Sequence, residues 1–420
     1  MSRSLLLVVF SLVAFLPLRA QDVLVPMDER QTDHLKAYGV MYWYLAQGRE
    51  ADWLLNYRGG SFMLTDVPGL LDELRIRGVA FEPLSAAAAA QVVAEVEAEG
   101  SNTSLVRLEK APKVAVYAPD QSLPWDDAVT LVLSYAEVPY DLIYDAQVLD
   151  GELAEYDWLH LHHEDFTGQY GKFFAAYRNA PWYREQQRRA EADARERGFA
   201  KVSDLKLAVA RGIRTYVAQG GFLFAMCSGT DTIDLALASH ATDIVPVEFD
   251  GDSVDPNALQ QLDFSGTFAF QDFTPSFNPM EYEHSDIDVT PPPALRNPAT
   301  DYFTLFEFSA KWDPVPTMLT QNHVASVRGF MGQTTNFRKA LVKPGVVILA
   351  ETPARTEVRY LYGPLGQGFF AFYGGHDPED YQHFVGDPPT DLALHRNSPG
   401  YRLILNNILF PAAQKQKQKT

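Results

Sequence analysis

Residues 204–238, DLKLAVARGIRTYVAQGGFLFAMCSGTDTIDLALA, allow few arrangements. Leu205, Ala208, Val209, Ile213, Tyr216 and Val217 recur at helical spacing, which gives one helix an apolar face. Gly220 and Gly221 then stop it, since glycine takes the left-handed turn past a helix end without a steric cost. Phe222 to Met226 is an unbroken apolar run, as a strand buried on both faces requires. Cys227 follows at once, the only cysteine in 420 residues, and Ser228-Gly229-Thr230-Asp231 opens another helix. A side chain on such a strand-to-helix turn stands at the C-terminal edge of a sheet. There the free N–H groups and dipole of the next helix favour an anionic sulfur. That is the arrangement of a nucleophile elbow. The competing reading of a lone cysteine is a small buried hydrophobe.

Around this stretch the chain divides. Residues 1–20 carry Arg3, an apolar run from Leu5 to Leu16, and Ala20 before Gln21, the pattern of a secretory signal peptide. Leu18 is an unusual residue at its position before the cut, and no cysteine lies nearby to carry a lipid anchor. The sequence therefore predicts an exported protein, periplasmic or secreted, with no membrane-spanning segment after cleavage. Loss of Arg3 and Arg19 with the leader takes the formal charge from −19 to −21. A polyanion of that size repels nucleic acid and acidic membrane surfaces, so the expected partner is a small-molecule ligand or another protein. A lone cysteine excludes an internal disulfide.

Residues 22–105 read as a small N-terminal α/β unit, including an alanine-rich helix from Ala86 through Glu97. From Lys113, strands alternate with helices: Val114 to Tyr117, Tyr140 to Tyr144 and Tyr156 to Leu161 as strands, then the elbow region. That alternation predicts a mostly parallel sheet covered on both faces, a three-layer α/β/α domain over 111–410. Residues 245–345 hold Pro275, Pro279, Pro291-Pro292-Pro293, Pro298, Pro314 and Pro316. They preclude long helices, yet the segment is rich in aromatics, which reads as an irregular insertion over the sheet edge. Periodic strands resume at Val346, Glu357 and Gly368, a helix ends near Leu409, and the Lys/Gln tail from 411 to 420 frays.

In an open parallel sheet, ligands collect beyond the C-terminal strand ends. Three loops then converge: the elbow at Cys227, His162-His163-Glu164-Asp165 after Leu161, and Gly374-Gly375-His376-Asp377-Pro378-Glu379 after Tyr373. Cysteine chemistry needs a base, a group that orients the base, and donors for an oxyanion. His376 is the candidate base, with a loop-capping histidine as the alternative, and Asp377 and Glu379 are the candidate orienting acids. The N–H of Ser228, beside Gly229, is one expected oxyanion donor, and an amide of the 163–168 loop is the other. His162, His163, Glu164 and Asp165 line the pocket, with Gln169 and Tyr170 as secondary polar contacts. His160 and His162 share a strand face that suits two imidazole ligands, but His160 lies in an apolar run and reads as a core residue. The sequence predicts no bound metal and no cofactor. Asp126-Asp127 reads as a solvated surface pair.

Cys227, Gly229, His376 and Glu379 together resemble the class I glutamine amidotransferase-like superfamily. There a strand–Cys–x–Gly–helix supplies the nucleophile, and a late strand ending in His-Pro-Glu supplies base and acid. Here Asp377 is inserted, giving His-Asp-Pro-Glu. Within the superfamily the chain looks like the trehalose-utilisation (ThuA-like) branch at four stretches. These are Tyr216-Val217 into Gly220-Gly221, Gln367-Gly368-Phe369, Gly375-His376-Asp377, and Asn407-Ile408-Leu409-Phe410. Many members of that branch lack the cysteine. The resemblance implies a flavodoxin-like core. The mature chain, from Val25-Pro26-Met27-Asp28 through Asn56-Tyr57-Arg58-Gly59-Gly60 to His162-His163-Glu164-Asp165, also looks like exported bacterial proteins labelled asparagine synthetase B-like. It has neither the N-terminal cysteine nor the Ser-Gly-Gly-x-Asp-Ser loop of such synthetases. The expectation is a cysteine-dependent hydrolase or amidase acting on a small polar or amide compound. The alternatives are a non-catalytic carbohydrate- or small-ligand-binding protein, and an envelope assembly protein with a vestigial pocket.

Overall fold

The computed structural model describes residues 22–120, 123–291, 296–353 and 355–413. The signal segment, Pro292 and Pro293, and the tail from 414 lie outside the described residues. Among the described residues, fifteen strands form two sheets. Strands β1 (Asp22–Val25), β2 (Ala51–Leu55), β3 (Ser61–Thr65), β4 (Glu82–Leu84) and β5 (Ser104–Leu108) make an antiparallel sheet in the order β4-β1-β3-β2-β5. The other ten are β6 (Val114–Tyr117), β7 (Asp141–Ile143), β8 (Trp158–Leu161), β9 (Phe222–Met226), β10 (Tyr302–Leu305), β11 (Ser326–Arg328), β12 (Phe337–Arg338), β13 (Val347–Glu351), β14 (Glu357–Leu365) and β15 (Gly368–Tyr373). Their order is β11-β10-β13-β14-β15-β9-β8-β6-β7, with β12 beside β14.

This corrects the expected mostly parallel, flavodoxin-like three-layer sheet. Among the described strands, only the run β7-β6-β8-β9-β15 is paired in parallel. The pairs β14–β15, β13–β14, β10–β13, β10–β11 and β12–β14 are antiparallel. The cause lies in the connections. Parallel neighbours need a crossover of a dozen or more residues, usually a helix, and such helices stop after Ala238. Leu365 pairs with Gly368, so only Gly366 and Gln367 join β14 to β15, and a two-residue loop closes only an antiparallel hairpin. The segment 245–345, expected to be irregular, supplies β10, β11 and β12 to the sheet.

The N-terminal sheet is not set apart from the rest. Helix His34–Ala46 packs on the helices Ala128–Ala136 and Pro399–Leu409, and one apolar core runs from Val23 and Trp53 to Phe224 and Leu405. The helices close enough that a Cβ on Gly39 would overlap the carbonyl oxygen of Ala136. Buried Arg402 closes the same junction, donating to Met27 O (2.9 Å), Tyr38 Oη (3.1 Å) and Gly59 O. A second core on the opposite face of the large sheet gathers Leu205, Val209, Ile213, Leu223 and Phe372. Among the described residues no helix is long and apolar enough to cross a membrane.

Candidate active site

The three predicted loops do meet. Register places Leu161 opposite Ala225 and Met226 opposite Tyr373, so the residues after β8, β9 and β15 leave the sheet side by side. The Cys227 N–H donates to Gly375 O (3.2 Å) and the Gly229 N–H to His162 O (2.7 Å), which ties the turn to both flanking loops. A Cβ at position 229 would stand 2.8 Å from that His162 oxygen, so only glycine fits. Helix Gly229–Ala238 starts there, with the Thr230 hydroxyl on Cys227 O (2.6 Å) and the Thr232 hydroxyl on Glu164 O (2.9 Å).

Cys227 has a φ of 47°, in the left-handed region. For a residue with a Cβ this costs on the order of 1–3 kcal/mol, and strain of that kind concentrates at nucleophile turns. The side chain is 3% exposed. Burial pushes the thiol up to about 11, while the N–H groups of Gln333, Thr334 and Ser228 work the other way. The Gln333 N–H lies 3.3 Å from Sγ. The Ser228 amide, expected as an oxyanion donor, thus favours the thiolate. The amides of Gln333 and Thr334 come from the segment that the prolines marked as irregular, where no local pattern points to them.

Cys227, His163 and His376 line one cavity of about 350 Å³, walled by Trp125, Phe173 and Tyr282. No hydrogen bond joins Sγ to an imidazole. The orienting acids are elsewhere. Asp377 accepts the Glu379 N–H (2.8 Å) and the Thr390 hydroxyl (2.7 Å), and Glu379 pairs with His395 at 3.1 Å. The inserted Asp377 closes its own turn with its side chain, as aspartate does. The His376 ring instead packs against His383 (4.4 Å between centroids), His162 (4.5 Å) and His163 (5.4 Å). Burial, reinforced by neighbouring imidazoles, holds His376 and His163 well below the usual histidine range. Both are neutral at pH 7, and the burial that keeps them so also weakens them as bases.

Asp126-Asp127, read as solvated, is part of this cluster. Asp127 caps helix Ala128–Ala136 at the Val129 and Thr130 N–H groups. Its two oxygens lie 3.3 Å from His160 Nε2 and 3.2 Å from His162 Nδ1, within ion-pair range but too bent for hydrogen bonds. Asp126 lies 3.1 Å from His383 Nε2. The signal available in the sequence was an N-cap aspartate placed after β6, at the same sheet edge as the other loops. His160 is the core histidine expected, its Nδ1 3.2 Å from Phe224 O.

Glu164 and Asp165 turn away from Cys227. Asp165 accepts the Thr167 N–H (2.7 Å) and the Gly171 N–H (2.9 Å), with His284 Nε2 at 3.5 Å. Burial alone would raise its carboxyl, but His284 and these donors outweigh it and hold it well below the usual range. Asp165 therefore shapes the loop. Glu164 faces a second cavity of about 270 Å³ with Tyr144, Asp145, Tyr170 and Lys206, and burial pushes its carboxyl up to about 8. Lys206 Nζ donates to the hydroxyls of Tyr117 (3.0 Å) and Tyr144 (3.1 Å) and pairs with Asp145 at 3.0 Å. Gln169 is buried, donating to the Thr167 hydroxyl at 3.0 Å. Trp125, His163 and Phe173 wall both cavities.

No protein-family model matches this chain, and no curated protein matches it. Among solved structures, it is similar to a cytoplasmic protein, STM3548 from Salmonella typhimurium, at 12% identity and a TM-score of 0.35. That match covers 72% of this chain and 100% of the other. A second cytoplasmic protein, STM1381 from Salmonella typhimurium LT2, is 10% identical at a TM-score of 0.32, covering 72% of this chain and 99% of its own. A likeness at this level carries no functional argument.

Proposed function

We propose that this chain is a hydrolase that acts, after export, on a small polar amide or related carbonyl compound, in the manner of the glutamine amidotransferase-like superfamily. One observation carries the reading: a strained cysteine and a neutral imidazole, Cys227 and His376, face one cavity at the ends of adjacent parallel strands. In this reading His376 takes the thiol proton as Sγ attacks the carbonyl carbon. The Gln333 and Thr334 amides stabilise the thiolate as its proton leaves. The protonated imidazole returns its proton to the leaving amine, and water then cleaves the thioester.

The test is ammonia or acid release from a panel of small primary amides and activated esters, with intact-mass detection of an acyl adduct on Cys227. Cys227→Ala and His376→Asn should each lower turnover at least 100-fold with unchanged circular dichroism. Turnover that survives Cys227→Ala would overturn the reading. The missing thiol–imidazole hydrogen bond favours a second reading, binding without turnover. Ligand quenching of Trp125 fluorescence that persists in Cys227→Ala, with no turnover of any panel compound, would support that one.

A further inference from the structure

Around the cavity stand more imidazoles than a cysteine mechanism uses. His160 is held through Nδ1 by Phe224 O, with its Nε2 facing Asp127 at 3.3 Å without a hydrogen bond. Three others are not so held. Nε2 of His162, Nδ1 of His163 and Nε2 of His376 are each closed to solvent with no hydrogen-bond partner. His162 and His376 are themselves 2% and 6% exposed. Each residue offers a nitrogen within 4.8 Å of the other two. An orphaned buried nitrogen is costly, and one cation can take a nitrogen from each of three rings this close together.

The donor set identifies the cation's class. Three imidazoles without a thiolate suit a borderline transition ion and not calcium or magnesium, which take oxygen ligands. The surroundings match the pattern around metal-bound histidines: Asp127 sits 3.2 Å from the other ring nitrogen of His162, the place of an orienting carboxylate. His163 and His376 also line the 350 Å³ cavity, so a fourth position opens onto it, as in sites that admit a water or substrate. We propose that His162, His163 and His376 bind one divalent transition ion of the zinc class, with its open position turned to the cavity.

Binding itself does not depend on the cysteine reading. One consequence does rest on it: an imidazole that gives one nitrogen to a metal keeps its proton on the other, so His376 cannot take the Cys227 proton while loaded. Metal then suppresses thiol-dependent turnover.

The full chain, stripped with a chelator and desalted, is titrated with Zn²⁺ against a chromogenic chelator, and separately with Co²⁺ by visible absorption. The expected result is one ion per chain, with affinity lowered at least tenfold by His162→Gln, His163→Gln and His376→Gln. His395→Gln, outside the cluster, and Cys227→Ala should bind as the parent does. Because the two buried positions can misfold when changed, the partly exposed His163 is the deciding variant, read beside its thermal melt. Less than half an equivalent bound, unchanged affinity in folded His163→Gln, or loss in Cys227→Ala would overturn the proposal. The two ideas fail separately: metal binding without thiol turnover removes the cysteine reading alone, and thiol turnover without metal binding removes this one.

Discussion

Position 227 holds a side chain in a conformation that favours glycine. Replacing Cys227 by glycine and by alanine should therefore reverse the usual order. The glycine variant is expected to be more stable than the alanine variant by about 1 kcal/mol, read from urea midpoints, while both lose thiol chemistry. Asp288 gives a second measurement at this scale. It accepts the Thr335 N–H at 2.7 Å, and burial pushes its carboxyl up to about 8 from an ordinary 3.8. The folded state then binds a proton that the unfolded state has released, so stability falls as pH rises from about 4 to about 8. The urea midpoint should drop between pH 5 and pH 9 in the parent chain and drop less in Asp288→Asn. Residues announced by a local pattern were legible: Cys227 by its strand and helix, His376 and His163 by their places after apolar runs. Gln333, His383 and Asp126 were not. Each reaches the site across a separation that leaves no periodicity in the chain.

Elements defined by continuous apolar runs or strong propensity were read closely. Strands Val114–Tyr117, Phe222–Met226 and Gly368–Tyr373 and helix Ala86–Glu97 lie where the pattern puts them. Strand direction was missed. Three strands after residue 346 follow one another with no helix between, and that spacing carries the antiparallel signal. Strands β10 to β12 were hidden because they are two to four residues long and sit among prolines. At this scale Gly39 is the informative position. Gly39→Ala should force apart the helices His34–Ala46 and Ala128–Ala136 and cost about 1–3 kcal/mol, the usual effect of overpacking. An unchanged denaturation midpoint would show that the crossing relaxes freely.

For the molecule as a whole, the shared core has a thermodynamic signature. The five-stranded sheet and the ten-stranded sheet bury apolar side chains in one another's neighbourhood, so they should melt together. Calorimetry is expected to show one transition with matching calorimetric and van't Hoff enthalpies, and two resolved transitions would contradict it. The strip over the sulfur also sets the direction from which a ligand arrives. Met331 O and Thr334 O accept from the His376 and Gly375 amides (2.9 and 2.8 Å). Gln333 is pinned to Gly171 O and Tyr282 O (2.7 and 2.9 Å), so this roof is a fixture. The cavity lining grades from Phe384 at 61% exposure to Cys227 at 3%. A chamber with its reactive atom at the buried end sorts its visitors by the leading end: a slim reactive head passes, and whatever trails behind it stays in the open.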